Sequence, residues 1–271
     1  MLGYPPDSHL LRDLQLSFDH VDDGPSRAWM PIVPEICGDD GTVRIGALTT
    51  LVDVVGGGLA ARAAHPNWIA TADLTVHLFA PARAGRVEAL ARTVRAGRTT
   101  VVLEVDLRDD ERDVGIATMS FSALPRRDSN PDIAVAMQPG PTTMADAASR
   151  IAAPLCDLAG IEIVDAAAGV VELPVLDWAK NSMGALQGGV VGLVVEMATE
   201  AAARAATGRS LAVTDIQCSY LAFGKVGPLR TRTDVLACDD GHVVTRVELI
   251  DDGAESRRMT VARAVATESL R

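Results

Sequence analysis

The sequence predicts an α+β fold in which one unit, a long helix enclosed by an antiparallel sheet, occurs twice. The first observation is an internal repeat, since residues 71–85 (TADLTVHLFAPARAG) resemble residues 213–227 (VTDIQCSYLAFGKVG). At the same offset, a strand-like run ending in the Asp pair 109–110 resembles one ending at 251–252. The second observation is a long run of helical character in each copy, and the third is a series of alternating β-rich runs after it. One long helix followed by a meander of strands is an α+β pattern.

Each predicted element has a local reason. Short helical stretches at 10–16 and 144–158 lead into a hairpin, which in the second copy is IEIVDAAAGVVELPV. The long helices are predicted at about 44–64 and 188–206, because Pro-free apolar runs of that length fit a helix and not a strand. Runs such as TVVLEVDL and HVVTRVELI have apolar residues at every second position, which predicts strands.

The segment between the copies has the composition of a linker. It reads PRRDSNPDIAVAMQPGPTT and is rich in Pro, Ser and Asp. We therefore predict a first unit at residues 1–125, a linker at 126–142 and a second unit at 143–271.

Composition excludes several classes of protein. The chain has 271 residues, of which 48% are hydrophobic and only 3% aromatic, so it is globular and aliphatic residues fill its core. Its net charge of −11 argues against a general binder of nucleic acid or of anionic membranes. The first residues, MLGYPPDSHLLRD, lack the pattern of a signal peptide, and no uncharged apolar run is long enough to span a membrane.

The four cysteines are scattered, without a CxxC pair or a His at ligand spacing. A zinc site and a disulfide framework are both unexpected for such spacing in so long a chain. We expect reduced thiols, a cytoplasmic location and no metal. The cysteines are Cys37, Cys156, Cys218 and Cys238.

The stretch NSMGALQGGVVGLVVEMATEAAARAA, residues 181–206, is the most informative. It contains neither GxxxxGK[ST] nor GxGxxG, so it does not read as a phosphate-binding loop. Glycines at a helix start allow a neighbouring backbone to approach, but that explanation leaves Glu196 unexplained. An acid inside the apolar run VVGLVVEMA is costly to bury unless it has a charged or hydrogen-bonding partner or a catalytic role. A paired structural carboxylate and a catalytic acid both remain open from these residues alone.

The pattern N-x-x-G-x-x-Q-G-G, followed by an acid nine residues after the Gln, resembles the signature of hotdog-fold acyl-CoA thioesterases of the phenylacetate-degradation type. That family has His where this chain has Gln187. The resemblance extends over most of both copies and implies a tandem, or double, hotdog: two helices, each wrapped by a curved antiparallel sheet. It also implies an acyl-CoA substrate, no cofactor, and sites formed between two hotdog units.

The two copies match this signature in complementary ways. Aligned at their acids, Asp53 corresponds to Glu196, and Arg44 corresponds to Gln187. The first copy therefore keeps an acid but lacks the motif loop. Because Glu196 lies about 12 Å along its own helix from Gly188, an acid and a helix start can meet only between two antiparallel helices.

The resemblance implies a role for each site residue. One interface would combine Asp53 and Thr71 with Asn181 and Gly188, and the other, built on Glu196, looks degenerate. The Gly188 N–H would stabilise an oxyanion, Asp53 would act as general base or nucleophile, Asn181 would orient water or the carbonyl, and Thr71 would bind the nucleophile. The predicted catalytic residues are Asp53, Thr71, Asn181, Gly188 and Glu196, and the predicted substrate-binding residues are Gln187, Gly189, Arg83 and Lys225.

Two other functions remain open. A non-catalytic acyl-CoA or lipid sensor would explain Gln187 and the degenerate first loop. An enoyl-CoA hydratase is less favoured, because the hydratases of this fold carry a His five residues after their Asp, where this chain has Gly58 and Ala201. We expect an acyl-CoA thioesterase that binds neither nucleic acid nor membrane and assembles into a homo-oligomer of double-hotdog chains.

Overall fold

The computed structural model describes residues 4–21, 24–127, 140–145, 150–239 and 241–268. Within them the first unit starts with a short helix and a hairpin, continues with the long helix, and ends with four long strands. Its elements are α1 (Leu10–Asp13), β1 (Ser17–His20), β2 (Ser26–Pro31), α2 (Ile45–Ala64), β3 (Trp68–Leu78), β4 (Arg86–Ala96), β5 (Thr100–Asp109) and β6 (Asp113–Leu124).

The second unit repeats this order after one additional strand. Its elements are β7 (Gly140–Thr143), α3 (Leu155–Leu158), β8 (Glu162–Asp165), β9 (Val170–Leu173), α4 (Gly188–Thr207), β10 (Ala212–Tyr220), β11 (Leu229–Asp239), β12 (His242–Asp251) and β13 (Arg257–Thr267). Both long helices begin and end close to the predicted residues, and the predicted α+β fold of two tandem hotdog units is confirmed.

One sheet of thirteen described strands runs through both units. Its order is β7-β1-β2-β4-β5-β6-β3-β10-β13-β12-β11-β9-β8, so the two halves mirror each other and join where β3 pairs antiparallel with β10. At that join Thr75 lies opposite Gln217. These two residues are counterparts in the repeat, so the units are related by a pseudo-two-fold axis through this pair, as in a symmetric dimer.

The ends of β5 and β12 confirm the alignment of the repeats. Asp109 accepts hydrogen bonds from the backbone N–H groups of Arg83 and Ala84, and Asp251 accepts them from Lys225 and Val226. Because several amides stabilise the charged carboxylate, the pKa values of both acids are lowered despite the opposing cost of burial. The same turn therefore closes the same strand connection in each unit.

The long helices lie against each other on the inner side of the sheet, and glycines set their separation. A methyl group on Gly189 would lie 2.2 Å from the Cα of Thr50, and one on Gly46 would lie 2.4 Å from the Cα of Leu193. Small residues at these points let the two backbones meet. The glycines at the start of α4 thus approach the other helix. The antiparallel overlap pairs the first half of each helix with the first half of the other.

Helix α2 is long and apolar enough to cross a membrane by length and composition alone, but 72% of its most apolar window is buried in the protein. Its apolar character is that of a core helix. The sheet of the first unit packs on it, and α4 covers another side.

The segment before the second hairpin differs from the prediction. The predicted helix at 144–158 is helical, in its described part, only over Leu155–Leu158. Pro154 precedes this helix with ψ of 136°, and a residue before Pro is disfavoured in helical conformation, which stops the helix there. Most of the predicted linker, residues 128–139, lies outside the described residues. Its last residues form β7, which pairs with β1 of the first unit.

Candidate active sites between the two units

The antiparallel overlap of α2 and α4 brings each helical acid to the start of the opposite helix. Asp53, in the third turn of α2, lies beside the first residue of α4: a methyl group on Gly188 would be 2.8 Å from Asp53 Oδ2. Glu196 of α4 lies beside the start of α2, where the Gly46 N–H donates to Glu196 Oε2 at 3.0 Å. The two interfaces therefore have the same backbone arrangement. We refer to them as the Asp53 site and the Glu196 site.

Three donors hold the Asp53 carboxylate. Thr71 Oγ1 donates to Oδ1 at 2.9 Å, and Gln187 Nε2 donates to Oδ2 at 3.4 Å. The backbone N–H of Gly189, in the first turn of α4, also points at the carboxylate. Asp53 is 7% exposed, and Gly188 is more exposed. The carboxylate is therefore nearly buried, whereas the start of α4 that it faces is partly accessible to solvent.

Burial raises the pKa of Asp53 to about 6, although the hydrogen bonds from Thr71 and Gly189 act in the opposite direction. An acid with this pKa is mostly ionised at neutral pH but binds a proton more strongly than an exposed Asp. Those are the properties of a general base that works near neutral pH.

A β-bulge directs Thr71 towards Asp53. The pairing of β3 with β6 skips one residue between Thr71 and Asp73, and the pairing of β10 with β13 skips one between Val213 and Asp215. Bulges of this kind re-aim side chains next to active sites. Val213 is therefore the structural counterpart of Thr71, as the strand alignment predicts. Thr214 is not its counterpart, and its hydroxyl donates to Asp215.

Two tyrosines that the sequence did not indicate complete the surroundings of the Asp53 site. The Tyr4 hydroxyl donates to Gln187 Oε1 at 3.3 Å, so a chain of hydrogen bonds runs from Tyr4 through Gln187 to Asp53. The Tyr220 hydroxyl donates to the Gly188 carbonyl at 2.8 Å and fixes the first turn of α4. Each tyrosine is far from its partner in the sequence, so no motif or spacing connects Tyr4 with Gln187 or Tyr220 with Gly188.

The Asn181 side chain orders the motif loop. Its Oδ1 accepts hydrogen bonds from the backbone N–H groups of Met183, at 2.9 Å, and Ala185, at 3.1 Å. Gly184 within this turn has φ of +71°, a conformation that favours glycine. The contacts of the Asn181 oxygen are thus within the loop, and they support the residues that lead to Gly188. Whether its amide group also contacts substrate stays a prediction.

The Glu196 site is filled by an ion-paired cluster. Arg44 Nη1 lies 3.2 Å from Glu196 Oε1 and 3.1 Å from Glu200 Oε2. Burial, followed by the charge of Glu200, raises the pKa of Glu196, while Arg44 acts in the opposite direction. The amide and the acid are in place here as in the Asp53 site, but the guanidinium lies against the carboxylate.

The predicted cationic residues are exposed and lie in equivalent loops. Arg83 Nε donates to Thr42 Oγ1, beside the loop that precedes α2. Lys225 lies 5.4 Å from the Phe223 ring centre, in a loop joined to the motif loop by the Leu186 N–H, which donates to the Gly224 carbonyl. Lys225 is therefore next to the Asp53 site and Arg83 next to the Glu196 site.

The comparison with known proteins agrees with this fold. Residues 40–116 match the model of the thioesterase superfamily, a range that includes Asp53 and Thr71. No curated protein is a significant match to the chain. The predicted resemblance to hotdog-fold thioesterases is confirmed.

Solved structures resemble the chain over nearly its full length. The TesB protein of Mycobacterium avium subsp. paratuberculosis has a TM-score of 0.63 at 12% identity, covering 92% of this chain and 95% of its own. An acyl-ACP thioesterase of Bacteroides thetaiotaomicron has a TM-score of 0.60 at 12% identity, with coverages of 89% and 97%. A hotdog-fold protein of unknown function from Alicyclobacillus acidocaldarius has a TM-score of 0.56 at 14% identity, with coverages of 96% and 98%. At these identities the likeness concerns the fold.

Proposed function

We propose that this protein is an acyl-CoA thioesterase that hydrolyses its substrate at the Asp53 site. The observation that carries the proposal is the pairing of a nearly buried acid with the glycine start of the opposite helix. The acid has a pKa near 6, and the helix start offers backbone N–H groups that have no acceptor within the helix. The match of the first unit to the thioesterase superfamily supports the same reaction class.

The reaction follows from these positions. The thioester carbonyl oxygen would accept a hydrogen bond from the Gly188 N–H, and the positive end of the α4 dipole would stabilise the oxyanion that forms. Asp53 would take a proton from water as the water oxygen bonds to the carbonyl carbon. The carbon–sulfur bond then breaks, and the CoA sulfur receives the proton from Asp53, giving the free acid and the CoA thiol. Thr71 and Gln187 would hold the carboxylate during both proton transfers.

A glycine at 188 suits this role because a side chain there would fill the space in front of Asp53. A single methyl group would already lie 2.8 Å from its carboxylate oxygen. The counterpart of Gly188 in the first unit is Ile45, which is 1% exposed, so the start of α2 carries a buried side chain where the start of α4 has none. The Glu196 site is accordingly proposed to be inactive.

The choice of CoA as the carrier is the finer part of the proposal. Lys225 is exposed beside the motif loop, where a cation would meet the phosphates of the CoA nucleotide. Acyl-pantetheine, which carries the same thioester without the nucleotide, separates this contribution from the chemistry. We expect at least a tenfold lower kcat/KM for acyl-pantetheine than for the matching acyl-CoA. Equal values would favour another carrier.

The closed Glu196 site keeps a non-catalytic acyl-CoA sensor as the second candidate. Thiol release from short, medium, long and aromatic acyl-CoAs distinguishes the two functions. Turnover of any of them by the wild type excludes the sensor. Binding of acyl-CoA, measured by calorimetry, without release of thiol would overturn the thioesterase. The cytoplasmic location and the assembly of double-hotdog chains into a homo-oligomer stay predictions.

A further inference from the structure

The residue four positions after each acid differs sharply between the two units. In α2 this residue is Gly57, and in α4 it is Glu200. Residues four apart on a helix lie on the same face. Gly57 and Glu200 are therefore neighbours of their acids, on the side nearer to the loop that precedes the long helix of the opposite unit. Burial raises the pKa of Glu200, and the charges of Asp39 and Asp40, in the loop before α2, act in the same direction, so that carboxylate lies near the loop.

The Glu196 site shows where a side chain at this position reaches. Glu200 Oε2 lies 3.1 Å from Arg44 Nη1, and the same nitrogen lies 3.2 Å from Glu196 Oε1. The side chain four residues after the acid therefore contacts the same guanidinium nitrogen as the acid itself. Together, Glu200 and Arg44 occupy the space between that acid and the loop.

In the Asp53 site the same space is open. A methyl group on Gly57 would meet no atom of the described residues within 4 Å, beyond its own helix. Gln187, the counterpart of Arg44, donates to Asp53 and accepts from Tyr4, with no side chain at 57 for it to contact. The neighbours of Gly57 on the same face of α2, apart from the acid itself, are the apolar residues Val54 and Ala61, so this side of the space is hydrocarbon.

We propose that the space over Gly57 receives the acyl group of the thioester, and that residue 57 determines the largest acyl group the protein accepts. An apolar wall next to the reacting carbonyl suits an alkyl or aryl chain better than the amides of pantetheine, which would each need a hydrogen-bonding partner. The proposal rests on the proposed thioesterase function. It adds a hydrophobic substrate class and the residue that limits its size.

The experiment compares Gly57→Ala and Gly57→Leu with the wild type on acetyl-, hexanoyl-, decanoyl- and phenylacetyl-CoA, measured as kcat/KM by thiol release. We expect Gly57→Leu to lower kcat/KM at least tenfold for the substrates with large acyl groups, and less than threefold for acetyl-CoA, because a few methylene groups in a pocket change discrimination on this scale. Gly57→Ala is expected to have a smaller effect in the same direction.

Gly58→Ala is the matched control. It replaces the adjacent glycine of the same helix, and its methyl group would make an ordinary 3.5 Å contact with His20. It should leave the order of substrates unchanged. Thermal unfolding of each variant verifies the fold, and the ratio between large and small substrates within one variant does not depend on the amount of folded protein.

Three results would overturn the inference. One is the same loss by Gly57→Leu for all four substrates, which would mean that the space holds pantetheine. Another is an unchanged order of substrates in Gly57→Leu. The third is a wild type that hydrolyses acetyl-CoA alone, since the space would then serve no acyl chain. A wild type that releases no thiol from any substrate would instead refute the proposed function itself.

Discussion

The Asp53 site and the Glu196 site are built on the same backbone and differ in the side chains around the acid. In both, an acid of one helix faces the amides at the start of the other, and in both burial raises the pKa of that acid. The counterparts, with the Asp53 site given first, are Gln187 and Arg44, Gly188 and Ile45, Gly57 and Glu200, and Thr71 and Val213.

Side chains alone can therefore turn one of two equivalent backbone arrangements into an ion-paired cluster, without a change of fold. A neutral amide at 187 and a glycine at 57 leave the Asp53 carboxylate with hydrogen bonds and free space. A guanidinium at 44 and a carboxylate at 200 turn the equivalent acid into one member of an ion-paired cluster. Because Arg44 precedes α2 and both acids lie in α4, the cluster also links the two helices.

The largest expected effect is on stability and comes from the Glu196 site. Arg44→Met leaves Glu196 and Glu200 without their cation, and removal of one partner of a buried ion pair is expected to lower the free energy of unfolding by about 3 kcal/mol. The loss should be greater at pH 8 than at pH 5. Without Arg44 the pKa values of both acids rise, and a raised carboxyl pKa in the folded state means stability that is lost as pH increases.

Arg92→Met is the matched control for this variant. Arg92 pairs with Asp106 on the surface, where both side chains are about half exposed, and such pairs contribute at most about 1 kcal/mol. Denaturant unfolding at the two pH values checks the comparison. Equal stability losses in the two variants would mean that the cluster does not hold the interface.

A smaller effect is expected in the pH dependence of turnover. Because Asp53 must be ionised to act, kcat/KM should fall tenfold for each pH unit below about 6 and be level above it. The raised pKa has a consequence for stability: the contribution of Asp53 to the free energy of unfolding is fully present below about pH 4 and is lost as the pH rises through about 6. Asp53→Asn should remove this decline. A midpoint near pH 4 would mean that the catalytic acid has the pKa of an exposed carboxyl group, which would contradict a role for the buried Asp53.

The smallest expected effect concerns the hydrogen-bond chain from Tyr4 through Gln187 to Asp53. Tyr4→Phe keeps the ring, which meets His9 edge to face, and removes the hydroxyl that holds Gln187. We expect a three- to tenfold loss of kcat/KM, in line with a hydrogen bond of about 1 kcal/mol, and a slightly higher pH midpoint as Gln187 loosens from Asp53. An unchanged midpoint together with unchanged kcat/KM would show that Tyr4 is only a packing residue.

Much of the fold can be predicted because it depends on patterns within each unit. The repeat, the two long helices and the strands after them follow from offset, length and alternation. The exception is the segment before the second hairpin, where Pro154 stops a helix that the composition favours.

Part of the candidate site can likewise be predicted from the sequence, and part of it cannot. The meeting of Asp53 with Gly188 follows from helix geometry and the alignment of the copies, because both residues lie in regular elements. The contacts of Tyr4 and Tyr220 depend on how loops and strand ends fold over the helix start, and no local pattern reports that. Glu200 is a different case. The alignment of Glu200 with Gly57 can be read from the sequence, but the role of Glu200 follows only from its contact with Arg44 in the structure.

The assignment of Asp53 as the catalytic acid is tested by thiol release from the best acyl-CoA substrate in Asp53→Asn and Glu196→Gln, with thermal unfolding to verify that both variants fold. Each variant replaces a carboxylate by an amide of the same shape, so the two sites are compared on equal terms. We predict at least a hundredfold loss of kcat/KM in Asp53→Asn, the scale of a general base, and less than threefold in Glu196→Gln. A large loss in Glu196→Gln with Asp53→Asn still active would contradict the assignment and make the Glu196 site the working one.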